Sequence, residues 1–386
     1  MKPDPKTTRK PRAPVWARWC IVFGSILVIA VGGSVVAARA LIDSAAGAVN
    51  HKDLLGTLRA GAARTHASIA GAKNILLVGV DTRPDNPAMV SRSDSIILLH
   101  IAADHREGYL VSLPRDSYVT IPAYDNGRVA YPGGKNKINA AYAFGSRGLT
   151  GSAAQSHGFE LLALTVKRLT GITPDAGAIV DFAGFEQVVR VLGQVCMDVD
   201  EDTTSIHLGH TASGKSAVPY KTHPDGSIAY QVPGVTPNFY AKGNHCFTPA
   251  EALDFARQRD LLADHDYDYG RQRHQQQLLK AILKQAEHEG LDSPAKLPGL
   301  IEAFGKAMTV DDGGVSLADW AFAMRGVNVD DLVTIRTNDG KFDSRSVPGV
   351  GSVEILNATS MKLLDAVRAD EVPAFLRAHP GWAAGG

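Results

Sequence analysis

The sequence predicts an α/β protein: a three-layer α-β-α domain with a central mixed β-sheet, placed after an N-terminal transmembrane helix. Three observations support this fold class. An uncharged N-terminal run precedes the domain, short segments rich in Leu, Ile and Val follow it, and amphipathic segments with helical periodicity come between them. Continuous apolar strands are typical of a sheet that helices cover on both faces. The composition, 45% hydrophobic and 21% charged over 386 residues, is that of a globular protein.

The N-terminus has the pattern of a membrane anchor. Residues 1–19 carry six basic residues and one acid, and residues 20–38 carry no charge. As a helix, the uncharged run would span roughly 28 Å, close to the ~30 Å of a hydrocarbon core. Basic residues before it place the tail in the cytoplasm and everything after Arg39 outside.

A cleaved signal peptide is the alternative, because Ala38, Arg39 and Ala40 resemble a cleavage site. The uncharged run is longer than the ~7 to 15 apolar residues of most signal peptides. We therefore predict an uncleaved single-pass anchor in the cell membrane, with the folded domain outside the cytoplasm. Both interpretations export that domain.

The predicted elements follow in chain order after an Ala- and Gly-rich stalk at residues 39–72. Apolar runs predict strands, and apolar residues three and four apart, ending in Gly, predict helices. A helix should begin at Thr248, which is followed by Pro249 and Glu251 in the pattern of a capping box. The other predicted strands are 74–81, 95–103, 108–116, 331–337 and 352–356, and the other predicted helices are 158–172, 182–193 and 270–290.

These elements suggest how the chain is divided. Residues 73–290 are predicted to form the main domain, and residues 291–378 to complete it. Weak periodicity and many Gly, Ser, Thr and Pro residues predict a partly irregular excursion between Asp198 and His245. The last segment, residues 379–386, is predicted to be disordered.

Charge argues against a nucleic-acid partner. Removing the six basic residues and one acid of the tail from totals of 40 and 40 leaves 34 basic and 39 acidic residues. Nucleic acids bind chiefly to basic patches that release counterions. The arginine clusters of the exported domain should therefore serve a local purpose.

Two of the three cysteines, Cys196 and Cys246, follow the predicted anchor. Thiols in an oxidising compartment favour a disulfide, worth roughly 4 kcal/mol for a loop of about 50 residues in the chain-entropy model. Their spacing matches no metal-ligand pattern, and a catalytic cysteine is the weaker interpretation.

Acids and arginines collect at the strand ends. Asp81 and Arg83 follow one predicted strand, Asp94 lies just before the next, and Arg115 and Asp116 end the third. Ligands of open α/β sheets bind beyond the carboxyl ends of strands. Two such carboxylates, Asp81 and Asp94, would suit Mg²⁺, which favours one or two carboxylates plus substrate phosphates. The alternative is that each residue only caps a turn.

A second concentration of charge lies between Ala256 and Gln277, where an Arg-Gln-Arg stands on either side of four aspartates. Arg271 in the first turn of a helix faces the positive end of the helix dipole, which makes sense if both address one anion. Planar guanidinium groups grip phosphate oxygens bidentately, so several of them beside a metal suggest a pyrophosphate site. A solvated surface network of ion pairs is the alternative.

Six segments together resemble, in order and spacing, the motifs of the LytR-CpsA-Psr family: "NILLVGVDTR", "RSDSIILLHI", "VSLPRDSYVTIP", "KINAAYAFG", "VDFAGFEQVVRVLG" and "EALDFARQRD" with "DYGRQRHQQQ". The resemblance covers residues 73–283. It implies a central sheet flanked by helices, with an apolar tunnel for a polyprenyl chain and a charged mouth for its pyrophosphate. It also implies that residues 73–290 are the catalytic domain.

The resemblance implies roles for individual residues. Asp81 and Asp94 would hold Mg²⁺, or Mn²⁺ in its place, and Asp268 would accept the proton of the attacking hydroxyl, with Asp266 or Asp116 as alternatives. Many relatives have Arg where this chain has His274, which puts one phosphate contact in doubt. The residues implied to grip the pyrophosphate are Arg83, Arg115, Arg257, Arg259, Arg271 and Gln275, of which Arg115 and Arg271 are also implied to be catalytic, together with Asp268.

The implied activity is a phosphotransferase. It moves a polyprenyl-pyrophosphate-linked glycopolymer, of the arabinogalactan, teichoic acid or capsule type, onto a muramic acid hydroxyl of peptidoglycan. Polyprenyl phosphate leaves, and no covalent enzyme intermediate is needed. Two alternatives stay open: a polyprenyl-pyrophosphate phosphatase on the same site, and a non-catalytic envelope protein that binds the lipid.

Overall fold

The structure is a computed structural model that describes residues 50–60, 69–80, 92–223, 227–292, 305, 307–315, 320, 327 and 329–384. At its centre lies an eight-stranded mixed sheet. In spatial order its strands are β1 (Asn50–His51), β17 (Met308–Asp311), β9 (Ala176–Asp181), β2 (Lys73–Val80), β3 (Ser93–Ile101), β4 (Gly108–Ser112), β18 (Val333–Arg336) and β21 (Ala383–Ala384).

Helices cover the described part of the sheet on both faces, so the predicted three-layer α-β-α fold is confirmed. On one face lie α4 (Phe182–Leu192), α5 (Pro249–Phe255) and α6 (Tyr267–Asp292). On the other lie α2 (Asn139–Gly145), α3 (Gly151–Thr170), α7 (Ala358–Ala369) and α8 (Val372–Ala378). The short α1 (Thr57–Ala60) precedes β2.

The two-sided cover explains why the strand sequences are apolar without alternation. In β2, Ile75 belongs to the core beneath α4 and α6, whereas its neighbour Leu76 belongs to the core beneath α3 and α7. Successive side chains of a strand point to opposite faces. Every position of such a strand therefore has an apolar environment.

Helix α5 begins with the predicted capping box. The side chain of Thr248 accepts a hydrogen bond from the backbone N–H of Glu251, and the Glu251 carboxylate accepts one from the backbone N–H of Thr248. Helix α6 begins at Tyr267, three residues before the predicted start. This earlier start brings Asp268 into its first turn.

The antiparallel pairing of β3 with its neighbours places the start of β3 among charged groups. Val80, the last residue of β2, lies opposite Ser93, and Ile97 lies opposite Ser112, the last residue of β4. The end of β4 and the beginning of β3 therefore lie at the same edge of the sheet. Asp94 and Arg115 belong to these two chain segments.

Two predicted boundaries are wrong. Part of the predicted stalk belongs to the domain, because β1 pairs with β17 and Leu54, Leu55 and Leu58 are buried in the core. The end of the predicted disordered tail is also structured. Pro380–Trp382 form a 3-10 turn, Trp382 is buried against Phe375, and β21 pairs with β18.

The excursion after Asp198 is more regular than its sequence suggests. It contains β11 (Thr203–Thr211), β12 (Ser216–Ala217), β13 (Tyr220–Thr222), β14 (Ile228–Gln231), β15 (Val235–Tyr240) and β16 (Gly243–Phe247), and it is preceded by β10 (Val195–Val199). These strands form small antiparallel sheets outside the central one. Because many of their side chains are exposed, they lack the apolar runs that mark the central strands.

Cys196 and Cys246 lie opposite each other in the antiparallel pair of β10 and β16, and a disulfide joins them. The bond closes the base of the excursion by joining two cysteines that are 50 residues apart in sequence. The predicted anchor at residues 20–38 lies outside the described residues. Within the described ranges, the structure contains no helix long and apolar enough to cross a membrane.

Three further hairpins complete the description. Strands β5 (Tyr118–Ile121) and β8 (Gly134–Lys137) pair, as do β6 (Tyr124–Asp125) and β7 (Ala130–Tyr131). The third hairpin joins β19 (Ser344–Val347) to β20 (Gly351–Glu354) and follows a 3-10 turn at Thr337–Gly340. We call it the C-terminal hairpin, and it forms one wall of a cavity described below.

Candidate active site

Four charged residues from three chain segments form a connected cluster at the edge of the sheet. Arg115 Nη1 donates to Asp94 Oδ1 across 2.6 Å, and Arg115 Nε lies 3.7 Å from Asp268 Oδ1. Arg271 Nη2 lies 2.5 Å from the same oxygen of Asp268 and 3.2 Å from the backbone oxygen of Asp94. We call Asp94, Arg115, Asp268 and Arg271 the charged cluster.

Arg115 is surrounded by carboxylates. Besides Asp94 and Asp268, its Nε lies 3.8 Å from Asp116, which also binds Lys137 across 2.9 Å. Burial alone would lower the pKa of Arg115, but the three aspartates together raise it above its ordinary value. The guanidinium therefore keeps its positive charge although it is largely removed from water.

Arg271 is the most buried cation of the cluster, with 6% of its surface exposed. Burial lowers its pKa, Asp268 counteracts that effect, and the neighbouring cations Arg115 and Arg259 add to it. Among the described residues, Nε of Arg271 and Nε of Arg115 are buried donors without a hydrogen-bond acceptor. Buried donors without partners are costly, and an anion that accepts from them would relieve the cost.

Two other predicted pyrophosphate ligands, Arg259 and Gln275, have partners of their own. Arg259 borders the same cavity as Arg115 and Asp268, and its Nε donates to Asp260 across 3.2 Å. Gln275, one helical turn beyond Arg271, donates to the backbone oxygen of Ala256 across 3.2 Å.

The remaining predicted ligands are Arg257, Asp81 and Arg83. Arg257, after the end of α5, affects the buried carboxylate of Asp254 electrostatically. Asp81 and Arg83 lie outside the described residues, so the predicted pairing of Asp81 with Asp94 around Mg²⁺ stays a prediction.

An apolar cavity of about 160 Å³ adjoins the cluster. It lies between the central sheet and helices α4 and α6, and Ser95 and Gln275 line it near the charged side chains. Ser95 is the residue after Asp94, and Gln275 shares a helix face with Arg271. The remaining lining is almost wholly apolar and includes Leu77, Ile97, Val188, Leu278, Leu279 and Ile282.

A second cavity, of about 190 Å³, has a lining that is half polar and includes charged side chains, and we call it the polar cavity. Arg115, Asp116, Arg259 and Asp268 line one side of it. The C-terminal hairpin and the residues around Phe342 line the other side. Sequence reasoning did not assign this hairpin to the site, because its short, largely exposed strands carry no motif and reach the cluster only through the fold.

A separate ion-pair network lies beside the first turns of α6. Arg273 contacts the carboxylates of Asp200, Glu201 and Asp266, and the Nε2 atom of His274 lies 3.3 Å from Glu201. Asp200, Glu201 and His274 have the donor types of a metal site. However, Arg273 already balances the charge of their carboxylates, so the group is explained as an ion-pair network.

This network decides two of the open questions about the site residues. Asp266, an alternative proton acceptor in the sequence analysis, is bound to Arg273 rather than directed toward the charged cluster. His274 is fully buried, stacks on Phe255 with ring centroids 4.1 Å apart, and faces Glu201. The ring of His274 therefore belongs to this ion-pair network.

The mixed sheet with helices on both faces, the apolar cavity and the charged cluster define an α/β domain in which an apolar cavity lies near partly and fully buried arginines. The family profile described as the LytR_cpsA_psr family matches residues 43–362, which is most of the chain. The chain therefore belongs to the LytR-CpsA-Psr family, and the resemblance inferred from its motifs is confirmed.

Three characterised relatives are similar in sequence. The chain is 29% identical over 259 residues to the regulatory protein MsrR of Staphylococcus aureus, covering 66% of this chain and 62% of MsrR. It is 30% identical over 211 residues to the polyisoprenyl-teichoic acid–peptidoglycan teichoic acid transferase TagU of Bacillus cereus, covering 55% and 51%. It is 27% identical over 345 residues to the cell wall biosynthesis protein LcpA of Corynebacterium glutamicum, covering 81% and 58%. The matched parts thus span about half to three fifths of these relatives.

Solved structures share the fold. Protein gbs0355 of Streptococcus agalactiae superposes with a TM-score of 0.56 at 21% identity, covering 78% of this chain and 88% of that one. TagV of B. subtilis superposes with a TM-score of 0.51 at 19% identity, covering 78% and 97%. At these identities the likeness concerns the fold alone.

Proposed function

We propose that this protein is a phosphotransferase of the cell envelope. It would move a glycopolymer from a polyprenyl pyrophosphate carrier onto a muramic acid hydroxyl of peptidoglycan and release polyprenyl phosphate. The names of TagU, a teichoic acid transferase, and LcpA, a cell wall biosynthesis protein, support this proposal. We propose that the domain works outside the cytoplasm, tethered by the predicted anchor at residues 20–38.

One arrangement carries the proposal: an apolar cavity that meets a cluster of buried cations. A polyprenyl pyrophosphate has a long apolar chain and a compact, highly charged head. Leu278, Leu279 and Ile282 offer the chain an environment free of water. About two to three turns earlier on the same helix, Arg271 offers the head a buried guanidinium.

The proposed reaction is an in-line displacement at the phosphorus nearer the sugar. A bond forms between the muramic acid oxygen and that phosphorus, and the bond from phosphorus to the bridging oxygen breaks. The hydroxyl proton goes to a carboxylate, for which we propose Asp268, and the electron pair leaves with polyprenyl phosphate. Arg115 and Arg271 flank Asp268 and would stabilise the charge on the phosphate oxygens.

We propose that Asp94, together with Asp81, holds a divalent cation such as Mg²⁺. Asp94 fits this role chemically, because it presents a carboxylate beside the site and Mg²⁺ prefers oxygen ligands. When bound, the ion would neutralise part of the charge of the diphosphate. Arg115 also holds the Asp94 carboxylate in position, through the hydrogen bond that it donates.

The test is product analysis with the full chain in detergent. A lipid-linked glycopolymer and a soluble peptidoglycan strand are supplied, and the products are separated by mass spectrometry. A glycan joined to muramic acid by a phosphodiester is the expected product. Free phosphorylated glycan as the main product would instead indicate the phosphatase.

Arg271→Ala should abolish the product, whereas Arg190→Ala should not. Arg190 is a matched control, because its side chain is 61% exposed on α4 and pairs only locally with Glu186. A non-catalytic lipid-binding protein would behave differently. In that case Arg271→Ala would restore a deletion strain as well as the wild-type chain does, and no product would form with either protein.

A further inference from the structure

One side of the polar cavity is formed by Arg115, Arg259 and Asp268 of the proposed diphosphate site, whereas its opposite wall has no part in the proposed function. Arg115 and Asp268 line it, and both also contact other members of the cluster. The apolar cavity is lined by Ser95, the residue after Asp94, and by Gln275, one helical turn after Arg271. Two cavities of different character therefore lie close to one set of charges.

Two exposed aromatic side chains border the polar cavity. Tyr267 is 50% exposed and Phe342 is 43% exposed, and their ring centroids lie 6.0 Å apart. Paired aromatic rings that are exposed at the border of a cavity offer apolar faces against which a ligand can pack. Tyr267 also has a left-handed backbone conformation, with a φ of 44°, which a residue with a side chain adopts only when its surroundings impose it.

The wall opposite the charged cluster is held firmly in place. The carboxylate of Glu354, which is buried, accepts hydrogen bonds from Tyr269 Oη at 3.1 Å, Asn338 Nδ2 at 2.9 Å and Ser344 Oγ at 3.1 Å. The backbone N–H of Glu354 donates to the carbonyl oxygen of Asp116 across 2.9 Å. Glu354 thus fixes the C-terminal hairpin to the segment that carries Arg115, so the cavity is a preformed one.

A sugar ring is the ligand that matches this combination. Sugars carry hydroxyl groups around an edge and apolar C–H groups on their faces, so they bind where polar side chains stand beside an aromatic ring. The hydroxyls would meet Ser344, Ser352 and Asp116, and a ring face would lie against Tyr267 or Phe342. A lipid chain would be better matched by the other cavity, whose lining is almost wholly apolar.

We propose that the polar cavity is the acceptor subsite, in which a sugar of the peptidoglycan strand is held with its hydroxyl toward Asp268. This inference rests on the proposed function and adds where the acceptor binds. Donor and acceptor would reach the charged cluster through different openings. Tyr267 and Phe342 are then positioning residues for the acceptor and contribute nothing to the binding of the lipid.

The test measures glycan binding apart from catalysis. The full chain in detergent is titrated with a soluble N-acetylglucosamine–N-acetylmuramic acid tetrasaccharide, and binding is followed by saturation-transfer NMR and calorimetry. The double variant Tyr267→Ala/Phe342→Ala should bind the tetrasaccharide at least about tenfold more weakly. Phe239→Ala is the matched control, because Phe239 is 57% exposed on β15, away from this cavity.

Kinetics give a second measurement. In the double variant, the KM for the acceptor should rise by a similar factor, while the KM for the lipid donor stays within twofold of the wild-type value. Equal tetrasaccharide binding by the wild-type chain and the double variant would overturn the inference. So would a loss confined to binding of phosphatidylglycerol vesicles, since the aromatic pair would then be a membrane contact.

The two proposals fail in different ways. If the tetrasaccharide binds at Tyr267 and Phe342 but no phosphodiester product forms, the subsite stands and the transferase proposal fails. If the product forms and the double variant makes it with an unchanged acceptor KM, the transferase stands and the acceptor subsite fails.

Discussion

Arg115 reaches from the loop after β4 to the carboxylate of Asp94 at the start of β3, with 2.6 Å between Nη1 and Oδ1. The contact joins two segments that antiparallel pairing brings to one edge of the sheet. It also orients the guanidinium so that Nε lies toward Asp268 on α6. One side chain thereby connects the sheet to the helix that lines the apolar cavity.

Replacing Arg115 by alanine should lower the rate of transfer on the order of 10²- to 10³-fold, by analogy with the loss of one preorganised donor to a developing negative charge. Arg115→Lys should recover little of this rate, because a lysine offers a point charge instead of a planar fork. Initial rates at saturating lipid donor measure the effect. Arg368→Ala, which removes an exposed arginine paired with Asp365 on α7, is the control and should keep its full rate.

Filling the apolar cavity should block the donor without unfolding the protein. Leu279 on α6 is partly buried and lines the cavity, so in Leu279→Trp the larger ring should occupy the space of the polyprenyl chain. We expect at least a tenfold loss of lipid-donor binding, measured with a fluorescent polyprenyl pyrophosphate.

The matched control for the cavity variant is Leu164→Trp, which enlarges a partly buried leucine on the opposite face of the sheet. It should disturb stability to a similar degree and leave donor binding intact. Equal donor binding by both variants would mean that the polyprenyl chain lies elsewhere.

The network around Arg273 should make stability depend on pH. Burial would raise the pKa of Asp200, but His274 and Arg273 outweigh burial and lower the pKa from 3.8 to about 2. A lowered folded-state pKa stabilises the protein above the unfolded value, and that stability is lost as pH falls from about 4 to about 2. Because Asp200 is partly exposed, we expect a contribution of about 1 kcal/mol.

Urea unfolding at pH 6 and pH 3 tests this prediction. Asp200→Asn should be less stable than the wild-type chain at pH 6, and the difference should shrink at pH 3. Asp198→Asn is the control, because Asp198 is exposed two residues earlier. A deficit of Asp200→Asn that is equal at both pH values would contradict the assignment.

Removing the disulfide should destabilise the domain. The variant Cys196→Ser/Cys246→Ser reopens a loop with a sequence separation of 50, which should reduce the free energy of unfolding by about 2 to 4 kcal/mol. Denaturant unfolding with and without reductant measures this. Reductant should destabilise the wild-type chain and leave the double variant unchanged, and an insensitive wild-type chain would rule out a stabilising bond.

The sequence predicted the centre of the fold well because its strands are buried on both faces. The predicted strands 74–81, 95–103 and 108–116 correspond to Lys73–Val80, Ser93–Ile101 and Gly108–Ser112. Arg115, Asp268 and Arg271 meet as expected. These three residues could be predicted because they lie in local sequence patterns, namely a strand end, a helix start and a dense run of charges.

The parts that were not predicted depend on contacts distant in sequence. Glu354 holds the C-terminal hairpin through a hydrogen bond from Tyr269, which is 85 residues away in sequence. The sequence around neither residue indicates this contact. Many side chains of the strands between Thr203 and Phe247 are exposed or half-buried, so their sequence lacks a continuous apolar run. His274 likewise faces Glu201, in the network that also contains Arg273 and Asp200.

Helix α6 carries the charged residues Asp268 and Arg271 in its first turns and the cavity residues from Leu278 to Ile282 in the next ones. From Arg271 to Ile282 it advances roughly 17 Å as a single rod. Tilting helix α6 would displace the Arg271 guanidinium and the apolar wall of the cavity together. Protein engineers who wish to reshape the apolar cavity without altering the charged cluster should therefore redesign α4 and leave α6 untouched.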